Sequence, residues 1–203
     1  SRSYAGRMAE RLGLPPDRIR VVHNGIDAAG YAPASAPPRP RAVGFLSQMC
    51  RANGLDLLVE AFLALKARPG MDDVKLRAAG GKTRADEAML AELRRRLDRA
   101  GVGADAEFLD AFDRPAKQRL LPSLTVLAVP ARRPPAFGLF VLEALAAAVP
   151  PVLPSHGAFI ELLEATGGGT LCRPNDPAAL AEALEAVLRD PAAARQTGLR
   201  GRQ

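Results

Sequence analysis

One acid, Glu143, stands inside the apolar run that follows a Phe137-Gly138 step, in the stretch PPAFGLFVLEALAAAVPPVLPSHGAFIELLEATGGG. A carboxylate in such a run is costly unless a polar partner reaches it. A helix starting at Gly138 would present free N–H groups and the positive end of its dipole to an anion. Glycine there lets a ligand or another backbone approach closely. Glu143, five residues on, would project from the second turn, near the same crevice. The bland alternative is that Glu143 satisfies neighbouring backbone N–H groups.

The other reactive residue types point to little. Gly80-Gly81-Lys82-Thr83 invites a phosphate-binding P-loop, but the glycine that motif needs five residues before Gly81 is Leu76. The two glycines are expected to turn the chain, with Lys82 in reach of an anion at the sheet edge. His156, in SHGAF, follows a predicted strand and is weighed as a site residue against a structural loop histidine. His23 is the other histidine, and with Cys50 and Cys172 far apart no zinc spacing exists. No G-x-G-x-x-G follows a strand, no Ser/His/Asp set has supporting context, and no D-x-D at a strand end suggests a metal.

These residues need a scaffold of alternating strands and helices. RIRVVHNGID reads as a strand ending at Asn24-Gly25, and YAPASAPPRPRA as a Pro-rich connector. Then come the strand AVGFLSQM, the amphipathic helix GLDLLVEAFLALKAR, the strand VKLRAAGG and the charged helix DEAMLAELRRRLDRAG with Gly101 as its C-cap. The order continues with the strand AEFLDAF, the helix RPAKQRLLPS, the strand LTVLAVPA, the helix from Gly138, the strand PVLPS, the helix AFIELLEAT, the strand GTLCRP and the helix DPAALAEALEAVLRD. Short apolar strands between helices predict one α/β domain over residues 1–203: a Rossmann-like, doubly wound parallel sheet with helices on both faces. Ligands bind such sheets beyond the carboxyl ends of the strands. Here these are the loops after Val22, Leu46, Ala79, Val129 and Leu153.

The 203 residues are 48% hydrophobic, enough for a sizeable core, and contain no tryptophan. The net charge of +6 comes almost entirely from scattered arginines. Without an accompanying aromatic-rich stretch, this matches the Arg- and Ala-rich composition of GC-rich bacterial genomes better than a nucleic-acid partner. Cys50 and Cys172 are expected as buried free thiols in a reducing cytoplasm. No apolar run is long enough to span a bilayer and no signal peptide is seen. Because the chain opens mid-helix with SRSYAGRMAERLGL, it is expected to be part of something longer.

Read together, FGLFVLEALAAAVPPVLPSHGAFIEL, VVHNGID and GFLSQMCRANGLDLLVEAF resemble the C-terminal, donor-binding domain of family 4 retaining glycosyltransferases, the glycogen-synthase-like group of the GT-B fold. The resemblance covers nearly the whole chain. It implies transfer of a sugar, with retention, from a nucleoside-diphosphate sugar to an acceptor held by an absent N-terminal domain. No cofactor or metal is implied, and peripheral membrane association of the full-length protein is left open. Carried over by position, Phe137, Gly138, Leu139 and Phe140 face the donor, and Glu143 accepts hydrogen bonds from the ribose hydroxyls.

The chain departs from that pattern at three positions. Pro135 stands where the family has an acid that contacts the donor sugar. Gln48 and Asn53 replace an Arg and a Lys that hold the diphosphate. Stabilising a departing charge is usually the largest catalytic contribution, so no catalytic residue is assigned. Arg51 and Lys82 are the candidate substitutes. The departures favour a second reading, a degenerate glycosyltransferase-like binding or scaffolding module. A sugar-nucleotide epimerase is disfavoured, since its acid-and-histidine set is not visible. This domain alone is expected to be inactive.

Overall fold

Ala42–Leu46 (β1) is buried along its whole length, which requires cover on both faces. The computed structural model, which describes residues 1–110 and 112–203, supplies it. β1 lies in a parallel sheet with Lys75–Ala79 (β2), Ala106–Leu109 (β3), Val126–Ala128 (β4), Pro151–Pro154 (β5) and Thr170–Cys172 (β6), in the order β3-β2-β1-β4-β5-β6. The chain winds outward from β1 to β3, returns to β4 beside β1, and winds outward again. β1 and β4 therefore flank the point where the winding reverses.

Arg2–Leu12 (α1), Leu55–Lys66 (α2), Glu87–Arg99 (α3), Arg114–Leu120 (α4), Leu139–Ala146 (α5), Ala158–Thr166 (α6), Pro177–Arg189 (α7) and Pro191–Arg202 (α8) cover the sheet. Alternate side chains of β1 enter two apolar clusters. Val43 and Phe45 pack with Leu58, Phe62, Leu180 and Leu184 of α2 and α7. Ala42 and Leu46 pack with Tyr31, Leu120, Leu121 and Ala144 on the other face. Asp113, Asp176 and Asp190 cap α4, α7 and α8 by accepting from backbone N–H groups, each followed within two residues by a proline that needs no acceptor. Cys50 and Cys172 are free, and burial pushes the Cys172 thiol up to about 11. Among the described residues, no helix is long and apolar enough to cross a membrane.

The expected doubly wound sheet is present, with two corrections. RIRVVHNGID is not a strand: after Arg18, which ends a short 3-10 turn, it carries no regular structure, pairs with nothing in the sheet and leaves Val22 86% exposed. Its β-branched residues fit a strand, but no sheet edge lies beside it. So the loop after Val22 does not lie at a strand's carboxyl end, although His23 and Asn24 line a cavity together with Phe137, whereas the loops after Leu46, Ala79, Val129 and Leu153 do lie at carboxyl ends of strands. α8 was not anticipated, because its glycines hide it. Of the expected strand AEFLDAF, Ala111 lies outside the described residues.

Candidate functional site

The loops after β1 and β4 meet at the reversal point. Gly54, at the start of α2, has φ +77°, and a Cβ there would lie 1.9 Å from the carbonyl oxygen of Pro130. Only glycine allows this approach in this conformation. From that seam the β4–α5 loop runs through Pro135 to Phe137 and Gly138, and α5 begins at Leu139.

No side chain caps α5. The N–H groups of Leu139 and Phe140, in its first turn, have no intrahelical acceptor. Gly138 lies beneath them against Phe159 and Val141, where a Cβ would sit 3.1–3.2 Å from their side chains. Phe137, Gly138 and Phe140 are half-buried and Leu139 is 46% exposed. This is an open helix N-terminus at the carboxyl edge of a parallel sheet, suited to an anion.

Glu143 is 8% exposed and carries two partners that the sequence reading lacked. Lys117 Nζ on α4 donates to its Oε1 at 2.6 Å, and the Tyr31 hydroxyl donates to the same oxygen at 3.0 Å. The expectation that only an arriving ligand or nearby backbone would satisfy this acid is thus corrected. The lysine lies 26 residues away in sequence and the tyrosine 112. Burial, followed by the adjacent carboxylate, pushes Tyr31 up to about 12, so it remains a donor. Tyr31 is held in place by its own connector. Arg114 pairs with Asp27 at 2.6 Å and donates to the Ala29 carbonyl, while Arg202 donates to the Tyr31 carbonyl at 2.7 Å.

The residues at the three departures have other engagements. Asn53 Nδ2 donates to the Gln48 carbonyl at 3.0 Å, closing the β1–α2 loop on itself, and the Gln48 amide points to Asp86 at 3.4 Å. Pro135 packs under the β5–α6 loop: its carbonyl accepts from Ala158 N, and a Cβ on Gly157 would lie 2.8 Å from its ring. Lys82 sits between Glu87 at 3.5 Å and Asp110 at 3.8 Å, so this cation already faces two acids. Arg51 faces Asp56 at 3.5 Å.

Arg132, on the β4–α5 loop, was not singled out from the sequence, where it is one arginine among many. It donates to Asp56 Oδ2 at 2.7 Å, and through Nε to the Arg51 carbonyl at 3.1 Å. His156 lies in the β5–α6 loop beside Phe159, with its Nε2 buried and unpartnered. Burial holds it below the usual histidine value, opposed by a hydrogen bond with the Ala131 backbone. Among the described residues no three His, Cys, Asp or Glu side chains converge as a metal site.

Known proteins resemble this chain in sequence and fold. The family described as Glycosyl transferases group 1 matches residues 32–203. A glycogen synthase from Mycobacterium tuberculosis is 31% identical over 206 residues, covering 100% of this chain and 48% of that protein. A D-inositol 3-phosphate glycosyltransferase from Salinispora arenicola is 27% identical, over 98% of this chain and 47% of its own length. The chain thus spans about half the length of these curated relatives. Two solved structures share the fold. Anabaena HepE, in complex with UDP, superposes with a TM-score of 0.83 at 21% identity, over 100% of this chain and 57% of its own. The C-terminal domain of a group 1 family protein from Francisella tularensis superposes with 0.77 at 20% identity, over 88% of this chain and 95% of that one.

Proposed function

Because this chain belongs to the group 1 glycosyltransferase family, we propose that it is the domain that binds a nucleoside-diphosphate sugar, for transfer with retention to an acceptor held elsewhere in a longer protein. One observation carries the reading. The uncapped start of α5 and the buried carboxylate of Glu143 stand one helical turn apart at the carboxyl edge of the sheet. The first-turn N–H groups suit phosphate oxygens. Glu143 takes both of its donors on Oε1, which leaves Oε2 to accept from a ribose diol. Phe137, Gly138, Leu139 and Phe140 form the approach. In this reading the donor needs no resident metal, nucleic acid is not a partner, and the setting is cytoplasmic. The neighbour solved with UDP supports a nucleotide in this fold.

The reading also holds that the 203 residues alone transfer no sugar, since the acceptor site lies on the part that the longer relatives have in addition. Calorimetric titration of the chain with UDP and GDP tests it. Binding of one of them, weakened about tenfold or more by Glu143→Gln, is expected, from the about 1.5–3 kcal/mol of a hydrogen bond to a charged group. No binding of either overturns the reading. Steady sugar transfer by the chain above a Glu143→Ala control overturns the claim of inactivity.

A second reading, a non-catalytic binding or scaffolding module, is favoured by the engagements of Gln48, Asn53 and Pro135. None of the three offers a charge to a donor, and each has a structural partner. The full-length protein distinguishes the two: a module binds the nucleotide without turning it over.

A further inference from the structure

We propose that Arg51 and Arg132 form the anion-binding pair of this chain, and that they take a diphosphate group in place of the cations absent at Gln48 and Asn53. The proposal rests on the donor-binding reading above and assigns its charged groups. Arg51 stands on the loop after β1 and Arg132 on the loop after β4, the two strands that flank the reversal of the sheet. Ligands of doubly wound sheets bind in the crevice that opens between such loops.

Both guanidinium groups are anchored on one buried acid. Asp56 Oδ2 accepts from Arg132 Nη2 at 2.7 Å and faces Arg51 Nη1 at 3.5 Å. The Asp56 side chain is 11% exposed, while those of Arg132 and Arg51 are 36% and 72% exposed. The carboxylate therefore lies inside and the cations face outward. One acid against two arginines leaves a net positive charge at the mouth. Lys82, the other candidate, has the opposite balance, one cation against two acids. Arg132 is further fixed through its Nε to the Arg51 carbonyl and through its backbone N–H to the Ala52 carbonyl at 3.0 Å. A guanidinium held this way loses little freedom on binding, and its planar fork matches phosphate oxygens.

The ligand group is a diphosphate, carried by a nucleoside or free as pyrophosphate. Titration of the chain with UDP, GDP and inorganic pyrophosphate, repeated on three variants, tests the pair. Arg51→Gln and Arg132→Gln should each weaken pyrophosphate and the nucleotide that binds by about tenfold, the worth of one charge-assisted bond. Asp56→Asn should tighten both ligands while lowering the melting temperature, an opposition that a purely structural role would not produce. Arg51→Gln guards against misfolding, because Arg51 is largely exposed and its contact with Asp56 is long. Nucleotide binding that persists with both ligands within twofold of wild type in Arg51→Gln and in folded Arg132→Gln overturns the pair and leaves the donor reading standing. Absence of UDP and GDP binding in the wild-type chain overturns both.

Discussion

Lys117 on α4 and Glu143 on α5 meet at 2.6 Å with side chains only 16% and 11% exposed. The contact ties together two helices that the sequence presents as unrelated. It also decides how the proposed ribose acid is held. Lys117 and Tyr31 fix one carboxylate oxygen from inside the protein and so orient the other.

Removing one partner of such a pair strands the other charge, which costs about 3–5 kcal/mol when the site is dry. Lys117→Met is expected to lower stability by a cost of that order, softened by the Tyr31 bond that remains. The double variant Lys117→Met/Glu143→Leu should recover much of the loss. Urea unfolding of the four members of the cycle reads this out. A coupling indistinguishable from zero would show that the pair contributes nothing in solution.

Restoring the cations should tighten diphosphate binding. Gln48→Arg with Asn53→Lys adds two positive groups beside the reversal point, at the cost of the Asn53–Gln48 bond that closes the loop. UDP or GDP affinity should rise by about tenfold or more, as each 1.4 kcal/mol is a factor of ten. Calorimetry on a folded double variant decides it; unchanged affinity would mean that the anion site lies elsewhere or is already filled by Arg51 or Lys82.

Ala148 has φ 57°, in the left-handed region that disfavours a Cβ by about 1–2 kcal/mol. Ala148→Gly removes that penalty against a gain in unfolded-chain freedom. The net expectation is a stabilisation of under about 1 kcal/mol, a rise in melting temperature of about 2–4 °C at most for a chain of this size. A fall in melting temperature would mean that the Ala148 methyl contributes more in packing than its backbone strain costs.

His156 predicts a pH slope. Its value is lowered below the ordinary 6.5 by burial, so the fold favours the neutral ring. As pH falls below 6.5 the unfolded chain takes up the proton first, and stability declines until the folded form is protonated as well. Urea midpoints should therefore be lower at pH 5.5 than at pH 7.5, and His156→Gln should flatten the difference. Equal slopes in both proteins would assign the effect to other groups.

Much of the framework was legible because it rests on local patterns. The short unbroken apolar run AVGFL fits a strand covered on both faces, and GLDLLVEAFLALKAR carries the spacing of a helix packed on one side. The Phe137-Gly138 step was readable as a helix start because a glycine before an apolar periodic run has few other uses. Where local pattern and pairing disagreed, pattern failed. RIRVVHNGID has the composition of a strand, but a strand exists only beside a partner, and none lies next to it. α8 was missed for the converse reason. Gly198 and Gly201 spoil its helical signature, yet they are what lets it dock: a Cβ on Gly198 would lie 2.0 Å from the Ala148 carbonyl oxygen, and one on Gly201 2.6 Å from the Gly168 backbone.

The site divides the same way. The sequence by itself placed one carboxylate near the start of an apolar helix at the carboxyl edge of a parallel sheet, because residue type and spacing along one element decide that; the family resemblance marked Gln48, Asn53 and Pro135 as positions that offer no charge to a donor. Only the tertiary structure decided that Lys117 and Tyr31 hold Glu143, that Lys82 is engaged by two acids, and that Arg51 and Arg132 converge on Asp56. Those partners come from separate loops and helices, and charges find one another through the crossing of the chain rather than along it.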